Sequence, residues 1–104
     1  MKQLLIVVKP YRAEAVLQAL AGMGISAGLV CEAKGYGRQK SYLERYAGSE
    51  YSLAFLPKVE ISVWADDTTA EQAAEQIARI ARTGRIGDGK VFVLNSAWPE
   101  ALEF

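Results

Sequence analysis

The order of its apolar patterns predicts that this chain folds as a single α+β domain. Strand-like and helix-like segments follow one another as βαββαβ, 51% of the residues are apolar, and the length of 104 residues suits one hydrophobic core. This order is the split βαβ arrangement of ferredoxin-like folds, in which two helices cover one face of an antiparallel sheet. We therefore expect one ferredoxin-like domain over residues 1–104.

The first half of the chain contains two strand patterns separated by one helix pattern. Residues 3–8 form an apolar run that is typical of a buried strand. Residues 13–23 carry apolar side chains at helical spacing, and residues 25–33 are again apolar and predict the second strand. Cys31 is the only cysteine, and we expect it to be a buried packing residue within that strand.

The second half repeats the pattern after a long irregular segment. Residues 35–55 are rich in tyrosine and charge and show no sustained period, and such a stretch in a small domain usually has a function. Alternation over residues 59–65 predicts a strand, and Thr68 to Glu71 matches the S/T-x-x-E capping box that begins a helix. A final apolar run over residues 91–94 completes the sheet. The predicted buried face of the second helix consists of Ala70, Ala73, Ala74, Ile77, Ile80 and Ala81.

Composition excludes several classes of function. The chain has 12 basic and 12 acidic residues, so its net charge gives no argument for binding nucleic acid. It has no histidine and one cysteine, which removes the commonest general base and argues against a zinc site. No apolar run reaches the roughly 18 residues of a membrane span. Because the sequence opens on a strand pattern, we expect no signal peptide. We expect a cytoplasmic protein without direct membrane insertion.

The sheet predicts an assembly as well as a fold. Because two helices cover only one of its faces, strands this apolar would leave a second apolar face larger than soluble monomers tolerate. We therefore expect an oligomer, although periodicity does not give the number of subunits.

The segment 83–90, with the sequence TGRIGDGK, is the strongest candidate for a binding loop. Glycines let backbone amides approach a ligand, and several amides beside a lysine ammonium form a nest for phosphate oxygens. The segment is not a G-x-x-x-x-G-K-[ST] loop, because its spacing differs and it leads into a strand. From the residues alone, it is either a phosphate nest or a tight turn between helix and strand.

Several of these segments together resemble the PII signal-transduction family, from residue 1 to about residue 94. The two most specific motifs are KGYGRQK at residues 34–40 and TGRIGDGK at residues 83–90. Further matching motifs are KP at residues 9–10, EY at residues 50–51 and FLPK at residues 55–58.

The resemblance implies a function of regulation rather than catalysis. PII proteins are homotrimers that sense ATP, ADP and often 2-oxoglutarate, and they regulate transporters, enzymes or transcription factors, typically in nitrogen metabolism. It identifies residues 37–55 as the T-loop that contacts partners, residues 83–90 as the B-loop and residues 95–104 as the C-terminal tail. A hydrolase or a metal-ion tolerance protein on the same fold is the alternative, although the chain lacks an arginine-bearing phosphate cradle near its first strand and lacks histidine.

The resemblance also implies a nucleotide site in a cleft between subunits. Lys90, the B-loop amides and the Arg38 guanidinium would hold phosphates, unless Arg38 is simply a solvated loop residue. Gln39 would give an oxygen ligand to Mg²⁺, and Lys58 would pair with a carboxylate of 2-oxoglutarate, unless it only flanks a strand. The implied nucleotide-binding residues are Val7, Gly35, Gly37, Arg38, Ser62, Trp64, Gly87, Asp88, Gly89 and Lys90.

The T-loop contains two candidate modification sites. Tyr51 lies where some PII proteins are uridylylated, and Ser49 lies where others are phosphorylated. Either modification would add negative charge to a contact surface and change the choice of partner. Both positions are also compatible with ordinary loop residues, and Ala47 stands where the usual tip motif has a basic residue.

Departures from the family pattern bear on ligand preference. Ala101 and Glu103 stand where the family has two arginines directed at a neighbouring subunit's phosphates, which favours ADP or AMP over ATP. Trp64 replaces a small aliphatic residue beside the adenine, so it either stacks on the base or fills the pocket. Gly28 and Leu29 replace residues that frame the adenine from the adjacent subunit. The alternative function is therefore a divergent sensor of ADP, AMP or bicarbonate that does not respond to 2-oxoglutarate.

Overall fold

The computed structural model describes residues 1–36, 56–82, 84 and 89–95, which form an antiparallel sheet with two helices against one face. The strands lie in the order β2-β3-β1-β4, as the predicted ferredoxin-like α+β fold requires, so the fold class is confirmed. The elements are β1 (Lys2–Val8), a 3₁₀ turn (Pro10–Arg12), α1 (Ala13–Gly22), β2 (Leu29–Gly35), β3 (Leu56–Ala65), α2 (Asp67–Ala81) and β4 (Gly89–Asn95).

The hydrophobic core lies between the helices and one face of the two central strands. Alternate residues of β1 are fully buried, and the register sets Ile6 opposite Ile61 and Leu4 opposite Val63. Pairing buried branched side chains across strands in this way stabilises a sheet. The buried apolar residues are Leu4, Ile6, Val8, Val16, Leu20, Ile25, Ile61, Val63, Ala65, Ala70, Ala73, Ile77 and Ala81.

Helix α2 packs through the predicted face. Ala70, Ala73, Ile77 and Ala81 are buried, while Ala74 and Ile80 are partly buried against the same core. Two ion pairs on the surface join the start of β1 to the start of α2. The α-amino group of Met1 lies 3.2 Å from Asp67, and the Lys2 ammonium donates a 2.9 Å hydrogen bond to Glu71, which raises the pKa of Lys2.

The second and third strands begin elsewhere than the sequence predicts. Strand β2 begins at Leu29, because Gly24 turns the chain with a φ of +83° and Ile25 then closes the core below α1. The amide of Ile25 donates to the carbonyl oxygen of Leu20, at 2.9 Å, rather than to a strand. Strand β3 begins at Leu56 because its first residues pair with the end of β2. The prediction of strand starts at residues 25 and 59 was therefore wrong.

The N-terminal cap of α2 is Asp66, so the predicted capping box at Thr68 is wrong. One carboxylate oxygen of Asp66 accepts a 2.8 Å hydrogen bond from the amide of Thr69, and the other accepts a 2.9 Å bond from its hydroxyl. The helix therefore begins at Asp67. These hydrogen bonds hold the pKa of Asp66 below its ordinary value.

The prediction that Cys31 is buried is also wrong for the single chain. Cys31 is exposed, because the alternation along β2 places its side chain on the face of the sheet that carries no helices. An apolar run on an edge strand does not indicate which residues face the core.

Several predicted segments fall outside the described residues. These are the T-loop at residues 37–55, the B-loop except for Gly84, Gly89 and Lys90, and the tail except for Asn95. In the described part of the chain, no helix combines the length and the apolar character needed to cross a bilayer.

Replacing Asp66 by alanine should lower the melting temperature, because the amide of Thr69 then loses its acceptor. Asp66→Asn is the matched control and should retain most of the stability, since its side-chain oxygen can accept the same bond. The folded pKa of Asp66 lies below the ordinary 3.8, so the carboxylate stabilises the fold above that pH and stops doing so as the pH falls through the folded pKa.

Scanning calorimetry across that pH range should therefore show that the difference in melting temperature between wild type and Asp66→Ala becomes smaller as the pH falls. A gap of constant size would contradict the role assigned to the charge.

Candidate functional site

The face of the sheet without helices collects one side chain from every second residue of each strand. Paired residues in neighbouring strands share a face, so the register assigns the members of this helix-free face directly. Its rows across β3, β1 and β4 are Glu60–Val7–Lys90, Ser62–Leu5–Phe92 and Trp64–Gln3–Leu94, and β2 adds Leu29, Cys31 and Ala33.

The helix-free face is largely apolar and open in the single chain. Leu29 is 62% exposed, and Phe92, Leu94 and Trp64 are each more than 40% exposed. An exposed apolar patch of this extent is typical of a surface that binds another molecule.

The structure brings six of the predicted site residues to this face. They are Val7, Gly35, Lys58, Ser62, Trp64 and Lys90. Val7 and Lys90 are direct cross-strand neighbours, whereas Trp64 lies six residues along β3 from Lys58, about 20 Å at the rise of a strand. The six residues therefore line a track along the sheet, with lysines towards one end and the indole towards the other.

Lys58 is buried although it carries a charge. Only 7% of its surface is exposed, and it lies opposite Ala33 on β2. A cleft of about 480 Å³ lies at this end of the sheet, with Pro10, Lys34 and Lys58 among its lining residues. A lysine that buries its methylene stem can still present its ammonium at the edge of an apolar surface.

Gly89 has a structural role that the motif did not indicate. A Cβ at this position would lie 2.5 Å from the carbonyl oxygen of Val7, and the residue adopts a φ of +153°. Gly89 is also the first residue of β4, so it allows that strand to approach β1 at the edge of the loop. Its place at the junction of loop and strand was the only sequence signal for this role.

Gly28 is likewise fixed by close packing. A Cβ there would lie 2.5 Å from the carbonyl oxygen of Ser62 and 2.6 Å from Cγ1 of Val63, so any side chain would separate the chain from β3. The sequence singled out Gly28 only as a departure from the family pattern. Leu29, the next residue, projects from the helix-free face opposite Ser62.

Trp64 does not fill a pocket in its own chain. Its side chain is 45% exposed and borders a cleft of about 350 Å³ that also touches Gly24, Ala27 and Asp66. An exposed indole offers a flat apolar surface with one hydrogen-bond donor. The two alternatives for Trp64, that it stacks on the base or that it fills the nucleotide pocket, both stay predictions.

The other predicted site residues lie outside the described residues. They are Gly37, Arg38, Gln39, Ser49, Tyr51, Gly87, Asp88, Ala101 and Glu103. Their assigned roles, including Mg²⁺ binding by Gln39, stay predictions. Across residues 1–36, 56–82, 84 and 89–95, no group of three or more His, Cys, Asp or Glu side chains is placed to hold a metal.

Fold and face together define a ferredoxin-like binding domain with an open apolar surface and lysines at one end of it. A comparison with family models matches residues 1–97 to the family described as nitrogen regulatory protein P-II. The chain belongs to this P-II family. It is a family of signalling proteins rather than enzymes, so the expectation of a regulator is confirmed and the hydrolase alternative is set aside.

Curated relatives support the same assignment. Nitrogen regulatory protein P-II of Azospirillum brasilense is 50% identical over 93 residues, which cover 89% of this chain and 83% of the relative. The protein of the same name from Rhizobium meliloti (strain 1021) is 47% identical over 95 residues, covering 91% and 85%. Nitrogen regulatory protein P-II 1 of Escherichia coli (strain K12) is 44% identical over 97 residues, covering 93% and 87%.

Replacing Gly89 by alanine should lower the free energy of unfolding by about 1–3 kcal/mol, because the new Cβ would collide with the carbonyl oxygen of Val7 in the backbone of β1. Urea denaturation at one fixed protein concentration measures the change. Gly22→Ala is the matched control and should cost nothing, since a Cβ there meets no atom within 4 Å. A Gly89→Ala variant as stable as wild type would contradict this structural role of the glycine.

Proposed function

We propose that this protein is a nitrogen-metabolism sensor that binds an adenine nucleotide and a small effector in clefts between subunits. The observation that carries the proposal is the track on the helix-free face, in a chain whose P-II match spans residues 1–97. The family binds adenine nucleotides generally. Residues 37–55 would act as the T-loop through which a transporter, enzyme or regulator is controlled.

The open face supports a homotrimer, which is the assembly of the family. Apolar surface removed from water stabilises an assembly by about 25 cal/mol per Å². Leu29, Phe92 and Leu94 are among the large exposed apolar residues that a neighbouring copy would cover. Three copies packed in this way would create clefts where the edge of one sheet meets the next.

The track fits a nucleotide in extended form. Lys90 would hold phosphate oxygens together with Arg38 and the amides of residues 87–89, since charge-assisted hydrogen bonds suit phosphate. Val7 lies beside Lys90 in the register, and Ser62 and Trp64 lie further along the sheet towards the base. Trp64 would stack on the adenine, because its ring is exposed rather than packed within its own chain.

The effector would bind at the lysine end of the track. Lys58 would hold a carboxylate of 2-oxoglutarate, and Gln39 would give one oxygen to the Mg²⁺ that such a complex uses. Gly35 and Gly37 would leave room for the ligand where the T-loop begins. Ligand at this point would bias the arrangement of the T-loop and so alter partner binding.

The T-loop would also carry any covalent regulation. Uridylylation of Tyr51 or phosphorylation of Ser49 would add negative charge to the contact surface. We propose one P-II domain over residues 1–104, acting in the cytoplasm.

The tail favours a second candidate function. Ala101 and Glu103 offer no cation where a phosphate-directed arginine would supply a bond of about 1.5–3 kcal/mol. Such a protein would prefer ADP or AMP to ATP, or would sense bicarbonate, and would give no response to 2-oxoglutarate.

Calorimetric titration distinguishes these functions. The wild-type protein is titrated with ATP, ADP and AMP, and then with 2-oxoglutarate or bicarbonate in the presence of Mg²⁺ and ATP. The first proposal predicts ATP binding, with 2-oxoglutarate binding only when Mg²⁺ and ATP are present. The second proposal predicts that ADP or AMP binds more tightly than ATP, and that 2-oxoglutarate gives no heat of binding.

Lys90→Met tests whether the nucleotide binds beside Lys90. This residue is exposed, so its replacement should leave the fold intact. It should weaken ATP binding about tenfold or more. Failure of the wild type to bind either an adenine nucleotide or bicarbonate would contradict both functions.

A further inference from the structure

The contact between Gly35 and Lys58 assigns a role to a glycine at the end of β2. Among the residues that the structure describes, Lys58 is the one charged residue that is buried. It lies opposite Ala33, and Gly35 follows two residues further along the same strand and on the same face. A side chain two residues away on a neighbouring strand is within reach of a lysine.

The path of the Lys58 side chain follows from the distances around Gly35. A Cβ built on Gly35 would lie 3.1 Å from Cγ of Lys58, 3.8 Å from Cδ and 3.4 Å from Cε. Three successive carbons lie close to one point, so the stem runs flat across Gly35. The stem therefore occupies the space that any other residue at position 35 would use for its own side chain.

This packing directs the lysine. Because Cγ, Cδ and Cε of Lys58 lie against Gly35, the last residue of β2, the ammonium bonded to Cε lies at this end of the sheet. We infer that Gly35 is a positioning residue that sets the place of the Lys58 ammonium. The inference rests on the proposed function, in which that ammonium holds a carboxylate of a small dicarboxylate such as 2-oxoglutarate.

A methyl group at Gly35 would disturb this placement without opening the core. A contact of 3.1 Å is closer than carbon atoms pack at their optimum, so the stem would have to shift by a few tenths of an ångström. The ammonium would move with it. A charge-assisted hydrogen bond has a narrow optimum, at about 2.7–2.9 Å, so a small movement weakens carboxylate binding.

The first test needs no effector. Wild type, Gly35→Ala and Gly22→Ala are treated briefly with N-hydroxysuccinimidyl acetate, and peptide mass spectrometry measures the acetylation rate of each lysine. Gly35→Ala should raise the rate at Lys58 several-fold and leave the exposed Lys90 unchanged, and Gly22→Ala should change neither. Equal rates at Lys58 in all three proteins would overturn the inference.

The second test is a double-mutant cycle on 2-oxoglutarate affinity in the presence of Mg²⁺ and ATP. Lys58→Met keeps much of the stem and should weaken binding about tenfold or more, because a bond to a charged group is lost. Gly35→Ala should weaken binding several-fold in the wild-type background and have no further effect in Lys58→Met. Each variant is titrated at a saturating ATP concentration, and its melting temperature should stay near that of the wild type.

The outcomes distinguish a failure of the inference about Gly35 from a failure of the effector proposal. If Gly35→Ala weakens 2-oxoglutarate binding equally in the wild-type and Lys58→Met backgrounds, the glycine does not act through Lys58. That result would overturn the inference. If wild type binds no 2-oxoglutarate, the effector proposal fails by itself, and the acetylation rate at Lys58 alone decides whether Gly35 positions that side chain.

Discussion

One layer of helices covers a sheet that is apolar on both of its faces, and the rest of the structure follows from this constraint. On one face Ile6 and Ile61 are fully buried beneath α1 and α2. On the other, Leu5 and Phe92 lie side by side with no covering element in the described part of the chain. Burial of one face stabilises the single domain, whereas the second face needs another molecule.

The site and the proposed assembly share this second face. Val7, Ser62 and Trp64 are interleaved with the apolar residues that a neighbouring copy would cover. Ligand binding at the edge of such an interface would therefore be coupled to the arrangement of subunits. This coupling would give a physical basis for the response to metabolites that we propose.

Glycine determines how closely the chain can pack around the site. Gly28 allows the chain to cross β3, Gly89 allows β4 to approach β1, and Gly35 leaves room for the stem of Lys58. Two of these three also fall in motifs shared with the P-II family. A glycine in a binding motif can thus be required by the fold as well as by the ligand.

The sequence predicted the element order because its central strands alternate clearly, as residues 59–65 show. It missed the cap at Asp66 because an S/T-x-x-E pattern begins two residues later and competes for the same helix start. It misplaced Cys31 because an apolar edge strand does not reveal which side chains face the core. It located Lys58 but not its contact with Gly35, since that contact depends on the register between β2 and β3.

The central claim is that copies of the chain cover the helix-free face. Sedimentation equilibrium measures the mass of the wild type and of Phe92→Asp, which places a charge in the middle of that face. The account predicts three times the chain mass of 11.4 kDa for wild type, and smaller species for Phe92→Asp, whose chain keeps its fold. A wild-type protein that sediments at 11.4 kDa would contradict it.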